Sequence, residues 1–455
     1  MPKINVMPTI RFRIAFLSII TCLALGASWQ LSQAQEDLST EPDTTAVTAW
    51  SPPGTAITTS ALNADAPRVS TSPTSNEIII VFNGWTSDES IRDPYFVRST
   101  DNGATWSSAA TIATNNSTRA TTHVTHDTAG NAHAVWIDYN TGTLQYTVEY
   151  GYKTSNGTSW TTKNLIASTF GTGITNAVIA ARDSSTIDIV FEGAISGGDP
   201  NPTLWHIRST NGGTSWGAAT RINGSSSNPS THPSLTYDSA GRLHVAWEQQ
   251  TPTLGSDIYY SRYDSNSWSG ALILSGSPVV NNDARKPSIE FGNNSIYVAY
   301  SHGRSTNTDR LQTVYGVICS QTSNTCENAD HWSDLANFSS QAVEVNEDNP
   351  FYVIPELAFD TASSEMQLFL HGAAPGSASG NELLWKNDTC NNWTAMDSIT
   401  TSSAKSISPR VDIESGLMHL VYENVGNEQI YYMQDQFDNC QSQAGLIHYL
   451  AFFTK

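Results

Sequence analysis

Three glutamates occupy one position of a sequence unit that recurs along the chain, directly after an apolar run: Glu192, Glu248 and Glu423. A carboxyl group can act as a general acid or base when burial or a neighbouring charge holds its proton. Basic residues stand near predicted strand starts or in the loops that follow, and the candidates are Arg119, His232, Arg285 and Arg304. Guanidinium groups bind planar carboxylates through paired hydrogen bonds, so this combination predicts a site for an anionic ligand. We expect Glu248 or Glu192 to be its acid/base group.

The recurring unit is clearest between His232 and Glu248. There, a short strand, a turn at Asp-Ser-Ala-Gly and an apolar second strand predict a β-hairpin. Seven such hairpins follow one another at spacings of 54–56 residues, with one longer interval of 68, as in repeat architectures. An aromatic-rich strand, a polar turn and a Trp follow all of them except the last, and one further Trp, Trp50, precedes the first. Repeats of four strands predict a β-propeller.

Because Trp50 precedes the first hairpin and no such Trp follows the last one, the chain begins with the end of a unit and finishes with the start of one. Strands from both ends of the chain should therefore complete one blade together. We therefore predict an all-β fold, a single β-propeller of four-stranded blades whose ring is closed by the N-terminal strand. Seven hairpins predict seven blades, with six as the alternative. The segment 54–60 and the strand-like segment 445–453 are both candidates for the closing strand, and the sequence leaves this choice open.

Acidic residues outnumber basic ones across the 455 residues, with 42 Asp and Glu against 22 Lys and Arg. The net charge is −20 and the pI is about 4.8. Nucleic-acid binders present basic faces to the phosphates, so this balance argues against such a partner. The 10% of aromatic residues and only 14% of charged residues are typical of a folded, β-rich chain rather than a disordered one.

The chain begins with a targeting pattern, because Lys3, Arg11 and Arg13 precede an apolar run from Ile14 to Leu25. We interpret residues 1–34 as a signal peptide, 35–48 as an acidic spacer, 49–440 as the propeller and 441–455 as a C-terminal strand or tail. A retained anchor is the alternative, although the run is shorter than the ~20 residues that span a bilayer. The mature protein is then expected to be a secreted or extracellular monomer without membrane contact. The periplasm and the cell surface are the alternative locations.

Four cysteines remain after residue 34, and an oxidising compartment predicts that they form disulfides. The short separation of Cys319 and Cys326 favours a bridge that staples one hairpin, which leaves Cys390 and Cys440 as the second pair. The sequence has no metal-ligand spacing, and we expect no cofactor.

The segment Ser99-Thr100-Asp101-Asn102-Gly103-Ala104-Thr105-Trp106 matches the pattern S-x-D-x-G-x-T-W in full, and the segment from Ser209 to Trp216 is a near match. The chain therefore resembles the sialidase-like, Asp-box (BNR repeat) β-propellers. The resemblance implies that these turns lie opposite the active site, so function is expected where first strands begin and second strands end. Two features depart from the family. Asp65-Ala66-Pro67 stands where the family usually has Arg-Ile-Pro. Seven blades are predicted here, whereas the catalytic sialidases of the family usually have six.

Three hypotheses for function follow, all with extracellular glycans or glycoconjugates as partners. The first is a sialidase-like exo-glycosidase for terminal acidic sugars, with Glu248 or Glu192 as acid/base and Arg119, Arg285 or Arg304 holding the sugar. The second is a non-catalytic, lectin-like or adhesion propeller that stacks sugars on exposed aromatics such as Trp85. The third is a polysaccharide lyase in which His232 is the base beside Arg285, or His302 beside Arg304.

Overall fold

The computed structural model describes residues 54–86, 92–114, 122–140, 145–155, 157–166, 170–172, 174–195, 201–222, 228–252, 255–275, 283–303, 311–320, 326–335, 342–344, 353–372, 382–389, 392–393, 397–399 and 406–436. Nearly all regular structure in these ranges is β, apart from a short 3₁₀ helix at Ala329–His331. The described residues include no helix long and apolar enough to cross a membrane. The predicted all-β class is confirmed.

The strands form seven antiparallel sheets, which we number in chain order. Strand β1 (Thr55–Ala56) comes first and belongs to sheet 7. Sheet 1 contains β2 (Asn63–Thr71), β3 (Ile78–Trp85), β4 (Asp93–Ser99) and β5 (Ala110–Thr111). Sheet 2 contains β6 (His123–His126), β7 (Ala132–Asn140), β8 (Gln145–Lys153) and β9 (Thr161–Ile166). Sheet 3 contains β10 (Phe170–Thr172), β11 (Ala177–Ala181), β12 (Ile187–Ile195), β13 (Thr203–Ser209) and β14 (Thr220–Arg221).

The remaining sheets repeat this order. Sheet 4 contains β15 (Ser230–Tyr237), β16 (Leu243–Gln250), β17 (Ser256–Asp264), β18 (Ser267–Trp268) and β19 (Leu272–Ile273). Sheet 5 contains β20 (Ala284–Gly292), β21 (Ser295–Gly303), β22 (Leu311–Ser320), β23 (Trp332–Asp334) and β24 (Ala342–Glu344). Sheet 6 contains β25 (Glu356–Asp360), β26 (Glu365–Gly372), β27 (Glu382–Thr389), β28 (Asn392–Trp393) and β29 (Asp397–Ser398). Sheet 7 contains β30 (Ser406–Glu414), β31 (Leu417–Asn424) and β32 (Gln429–Gln436) beside β1.

Each sheet has four strand positions. Where five strands are present, two short pieces share one position. In sheet 4, for example, β18 and β19 both pair with β17 at different residues. First strands of neighbouring sheets contact one another, including β2 and β30. This arrangement is a β-propeller with four-stranded antiparallel blades, in which the first strands surround the axis.

The core consists of apolar clusters between neighbouring sheets rather than one central cluster. One cluster joins sheet 1 to sheet 7 and contains Ile57, Phe82 and Tyr432. Second strands are buried along most of their length because both faces of the sheet are covered. Trp136 and Trp247 are 1% and 0% exposed, so both belong to the core.

The two Asp-box-like turns share one set of hydrogen bonds. In the first, the Gly103 N–H donates to Ser99 Oγ over 2.8 Å and the Thr105 N–H donates to Asp101 Oδ1 over 2.8 Å. Gly103 has a φ of 87° and lies so close to the Tyr432 ring that a Cβ atom would not fit. Trp106 packs edge-on against the same Tyr432 ring at 4.8 Å between centroids. These residues therefore have a structural role between sheets.

The second turn repeats these contacts. The Gly213 N–H donates to Ser209 Oγ over 2.9 Å, and the Ser215 N–H donates to Asn211 Oδ1 over 2.8 Å. Trp216 lies edge-on against Tyr150 of sheet 2 at 5.0 Å between centroids. Asn therefore replaces Asp without loss of the turn, since the amide oxygen accepts the same backbone bond.

The termini of the described chain meet in sheet 7. Thr55 and Ala56 pair with Tyr432 and Tyr431, and the Ile57 N–H donates to Ile430 O over 2.9 Å. The structure thus brings the 54–60 candidate beside β32. The other candidate, 445–453, lies outside the described residues, as do the predicted signal peptide, spacer and tail.

The predicted disulfide between Cys319 and Cys326 is confirmed. It links the end of β22 to the residues preceding the 3₁₀ helix, with a Cα–Cα distance of 5.8 Å. Both sulfur-bearing residues are buried, at 0% and 1% exposure. Cys390 and Cys440 lie outside the described residues, so their pairing stays a prediction.

Candidate functional site

A cavity of about 790 Å³ follows the axis and is lined by the first strands of all seven sheets. Because alternate residues of a strand face the same side, the strands contribute side chains in rings. We call one of these rings the middle ring. Its members pair with equivalent positions of the second strands, as Arg68 does with Val81. They are Arg68, His123, Val178, Ser234, Ser288, Glu356 and Arg410. The deep ring lies two residues further along and consists of Ser70, Thr125, Ala180, Thr236, Glu290, Ala358 and Asp412.

Charged residues of the middle ring are concentrated on the adjacent sheets 6, 7 and 1. Arg410 Nη1 lies 3.5 Å from Glu356 Oε2 and donates to the Pro409 carbonyl over 2.6 Å. Arg68 Nη1 donates to the Pro67 carbonyl over 3.3 Å. Each guanidinium is thus held by the carbonyl of the proline that precedes it. Further donors of both groups remain available for a ligand in the cavity, because a guanidinium carries five N–H bonds.

The surroundings of Glu356 favour the protonated form of its carboxyl group. Burial is the main cause and, with the negative charges of Glu290 and Asp412, raises the pKa of Glu356 to about 8, although Arg68 opposes the shift. Glu290, in the deep ring, has its pKa raised to about 7 by burial and by Asp412, against bonds from Phe291 and Thr236. The cavity therefore holds a carboxyl group whose raised pKa suits a proton donor near neutral pH.

The mouth of the cavity, where the first strands begin, contains residues with strained backbone, among them His232 and Lys286. His232 and Lys286 have φ of 53° and 52°, and each precedes a proline. This region is unfavourable for residues with a Cβ atom, so neighbouring structure must hold it. The His232 N–H donates to Glu192 Oε1 over 2.5 Å, and the Lys286 N–H lies 3.4 Å from Glu248 Oε2. In both cases the glutamate belongs to the preceding sheet.

The third repeated glutamate makes the same contact across sheets 7 and 1. Glu423 Oε2 accepts from the Ala66 N–H over 3.3 Å, and Ala66 also has a positive φ, of 50°. Burial and the charge of Asp65 raise the pKa of Glu423 to about 8. The shared position of the glutamates is therefore explained by a bond that joins neighbouring sheets.

Glu248 is the centre of a polar cluster at the mouth. Its carboxylate accepts from Arg285 Nη1 over 2.8 Å and from Ser256 Oγ over 3.2 Å, and it lies 3.2 Å from His232 Nδ1. Burial alone would raise the pKa of Glu248, but His232, Arg285 and Lys286 together lower it below its ordinary value. Such an ionised, paired carboxylate is poorly suited to be a general acid.

His232 is the most accessible member of this cluster, with a side chain that is 36% exposed. Its Nε2 contacts Lys286 Nζ, and its Nδ1 faces Glu248 and Thr231. Since an ammonium can only donate, Nε2 is assigned as the acceptor and Nδ1 as the protonated nitrogen. Glu192 accepts from the Thr175 hydroxyl as well as from the His232 backbone, and it lines the same cavity.

The structure brings together four of the predicted site residues, Glu192, Glu248, His232 and Arg285, at the mouth. Arg119 and Arg304 lie outside the described residues. The prediction that Trp85 is exposed is wrong, because Trp85 is 8% exposed. Trp85 ends β3 inside the sheet, and the Arg92 guanidinium covers its ring at 4.5 Å.

Sequence reasoning missed the charged middle ring. Its members Arg68, Glu356 and Arg410 all directly follow the proline that begins a repeated hairpin. A charged residue at that one position, in strands otherwise rich in small and apolar residues, was the available signal. Among the described residues, no group of three or more His, Cys, Asp or Glu side chains is arranged to hold a metal ion.

No protein-family model matches the chain, and a search of curated proteins gives no match either. Among solved structures, a PL25 ulvan lyase bound to -[GlcA(1-4)Rha3S]- is similar with a TM-score of 0.56 and 9% identity, over 84% of this chain and 95% of that one. The GH93 α-L-arabinofuranosidase of Fusarium graminearum has a TM-score of 0.47 and 10% identity, over 69% and 92% of the two chains. The Trypanosoma rangeli sialidase has a TM-score of 0.47 and 11% identity, over 85% of this chain and 56% of its own. At such identities the likeness to the lyase supports the propeller fold alone.

Proposed function

We propose that the protein is a secreted, glycan-active β-propeller that binds a terminal acidic sugar in the axial cavity and hydrolyses its glycosidic bond. One observation carries this proposal. Two guanidinium groups and a protonated carboxyl group, those of Arg68, Arg410 and Glu356, lie at one depth on three adjacent first strands. A protein of net charge −20 would otherwise repel an anionic sugar, so a local pair of arginines is what such a ligand requires.

The chemistry divides between these groups. The arginines would hold the sugar carboxylate through paired hydrogen bonds. Glu356 would give its proton to the leaving oxygen, which needs a carboxyl group that stays protonated near neutral pH. A second carboxyl group must act on the other side of the sugar ring. Glu192 lines the mouth of the same cavity and stays our candidate for that role. We assign Glu248 a structural role, in which it binds Arg285 at the mouth.

A second candidate function is elimination by a polysaccharide lyase, and the contacts of His232 favour it. An elimination needs a neutral base to remove the proton next to the sugar carboxyl group and a cation to neutralise that carboxyl. His232 Nε2 accepts from the Lys286 ammonium and the His232 side chain is 36% exposed, so Nε2 can act as the base once Lys286 Nζ turns to the sugar carboxyl group. Glu248, beside Nδ1, would keep the imidazole in the required tautomer.

Product analysis with the purified protein separates these reactions. We would supply aryl glycosides of sialic and uronic acids and acidic polysaccharides, and measure new reducing ends and near-ultraviolet absorbance. Reducing ends without absorbance are expected, and both signals together would establish the lyase. Arg68→Ala and Arg410→Ala should lose binding, whereas Arg182→Ala, an exposed arginine outside the cavity, should not. Binding without turnover would retire every catalytic role, and absence of binding would refute the proposal.

The pH dependence offers an independent test. Because the pKa of Glu356 is about 8, hydrolysis should fall as the pH rises through about 8. A profile of kcat/KM against pH from 5 to 10 measures this decrease, and a rate that stays constant through pH 8 would contradict the role of Glu356 as the proton donor.

We also infer that the seven sheets are the blades of one ring, closed where β1 joins β32. Ile57 follows β1, is 8% exposed and packs against Val421, Ile430 and Tyr432. Ile57→Ala should lower the free energy of unfolding by about 2–5 kcal/mol, measured by urea denaturation, because it removes buried apolar surface at the closure. Thr55→Ala, at an exposed position of β1, is the control and should be near neutral. An Ile57→Ala protein as stable as this control would argue against closure at this strand.

The same proposal places the protein outside the cytoplasm. The Cys319–Cys326 disulfide supports it, because such bridges persist in oxidising compartments. The N-terminal targeting pattern of residues 1–34 supports it as well.

A further inference from the structure

Three large apolar side chains are exposed among the described residues, and only Tyr315 of the three is aromatic. Tyr315 is 36% exposed, whereas Tyr300, directly opposite it on β21, is 6% exposed. The two rings are stacked with centroids 6.0 Å apart and planes inclined by 17°. The His302 ring meets Tyr315 edge-on at 5.2 Å and 74°. An exposed ring is therefore supported by two neighbouring rings, which limits its rotation.

The position of Tyr315 relates it to the mouth of the cavity. Arg285 pairs with Ser301 on β21, and Ser301 pairs with Val314, the neighbour of Tyr315 on β22. Two strand spacings separate Arg285 from this part of β22, which is about 10 Å. Asp283 connects the two places, because it accepts from Arg285 Nε over 2.7 Å and its charge acts on His302. A chain that leaves the cavity past Arg285 therefore reaches Tyr315 within a short distance.

From this geometry we infer that Tyr315, supported by Tyr300 and His302, is a stacking subsite for a further sugar of an acidic oligosaccharide. The inference rests on the proposed function and adds the position of the leaving-group side of the substrate. A flat tyrosine face suits the apolar C–H face of a pyranose ring, and its hydroxyl can bond to sugar hydroxyls. A ring already fixed by its neighbours loses little entropy on binding, so the contact contributes more to affinity.

The test compares ligands of different length on the full chain. Calorimetry would measure binding of sialic, glucuronic and galacturonic acids as monosaccharides. It would also measure sialylated tetrasaccharides and tetrasaccharides from ulvan, hyaluronan and polygalacturonate. Tyr315→Ala should weaken the best tetrasaccharide about tenfold and leave the monosaccharide unchanged. Tyr315→Phe and Tyr315→Trp keep the aromatic face and should bind within about twofold of the unmodified protein. Ile273→Ala, at an exposed position of sheet 4, is the matched control.

The outcomes separate the subsite from the proposed function. If the unmodified protein binds none of these ligands, the proposed function fails and the subsite fails with it. If it binds them and Tyr315→Ala binds the tetrasaccharide equally well, only the subsite is refuted. An equal loss for monosaccharide and tetrasaccharide would also refute it, because Tyr315 would then act on the cavity itself.

Discussion

Glu356→Gln should lower kcat on the acidic glycoside by about 10²–10⁴-fold, the usual contribution of a positioned general acid. Glutamine keeps the shape of the side chain but has no proton to transfer. The proposed contacts of Arg68 and Arg410 with the sugar carboxylate do not use the transferred proton, so KM should move little. The measurement is the steady-state rate with a substrate whose leaving group is poor, because a good leaving group needs less protonation.

The control for this change lies on a neighbouring first strand. Glu414→Gln, at the end of β30 opposite the mouth, makes the same chemical change without altering the cavity lining, and it should keep full activity. Residual activity of Glu356→Gln should also lose its decrease above pH 8, because the group responsible for it is gone. Unchanged kcat, or a persistent alkaline decrease, would show that Glu356 does not supply the proton.

The repeated turns and core positions could be predicted from sequence because short-range geometry determines them. Gly103 needs a positive φ within its own turn, and Cys319 reaches Cys326 across a local link. Trp247 falls in an apolar run that only a strand covered on both faces can accommodate. Each of these features depends on residues close in the chain, so pattern reasoning is sufficient.

The axial ring could not be derived in this way, because an irregularity changes which side chains face the axis. In sheet 1, Asp65 pairs with Asn83 but Arg68 pairs with Val81, so β2 contains one extra residue at Pro67. Such a bulge reverses the inward and outward alternation beyond it. The resemblance to Asp-box propellers led to the expectation that function lies where first strands begin and second strands end, whereas the bulge directs Arg68 into the cavity. The error for Trp85 has a different cause, since Arg92 comes from the next strand segment to cover it.

A second large effect concerns stability and a buried ion pair between sheets 1 and 2. Lys153 is 1% exposed and its Nζ donates to Glu77 Oε1 over 2.8 Å, while Glu77 is 2% exposed. Glu77 also contacts Arg98, and His126 Nε2 lies 3.6 Å from it. Burial alone would raise the pKa of Glu77, but bonds from His126 and Lys153 and the charge of Arg98 lower it. The ionised carboxylate is thus the favoured form of Glu77 in the folded protein, whereas burial lowers the pKa of Lys153.

Glu77→Ala should lower the free energy of unfolding by about 3–5 kcal/mol at neutral pH, because it leaves the Lys153 ammonium buried without a carboxylate partner. Urea denaturation measures this change. In the unmodified protein the contribution of Glu77 should be lost as the pH falls through its lowered pKa, since the unfolded chain binds the proton more readily. The Glu77→Ala protein should lack that part of the acid sensitivity.

Substitution of both residues separates the contribution of the ion pair to stability from the cost of leaving one charge without a partner. Glu77→Gln combined with Lys153→Met should be more stable than Glu77→Ala alone, because the double variant has no Lys153 ammonium left buried without a partner. Asp183→Asn, which breaks the exposed pair with Arg182, should change the free energy by less than about 1 kcal/mol. If Glu77→Ala proves as stable as the Asp183→Asn control, water reaches Lys153 and the pair is not buried in solution. Such a result would also remove the argument that charge pairing, beside apolar packing, holds sheets 1 and 2 together.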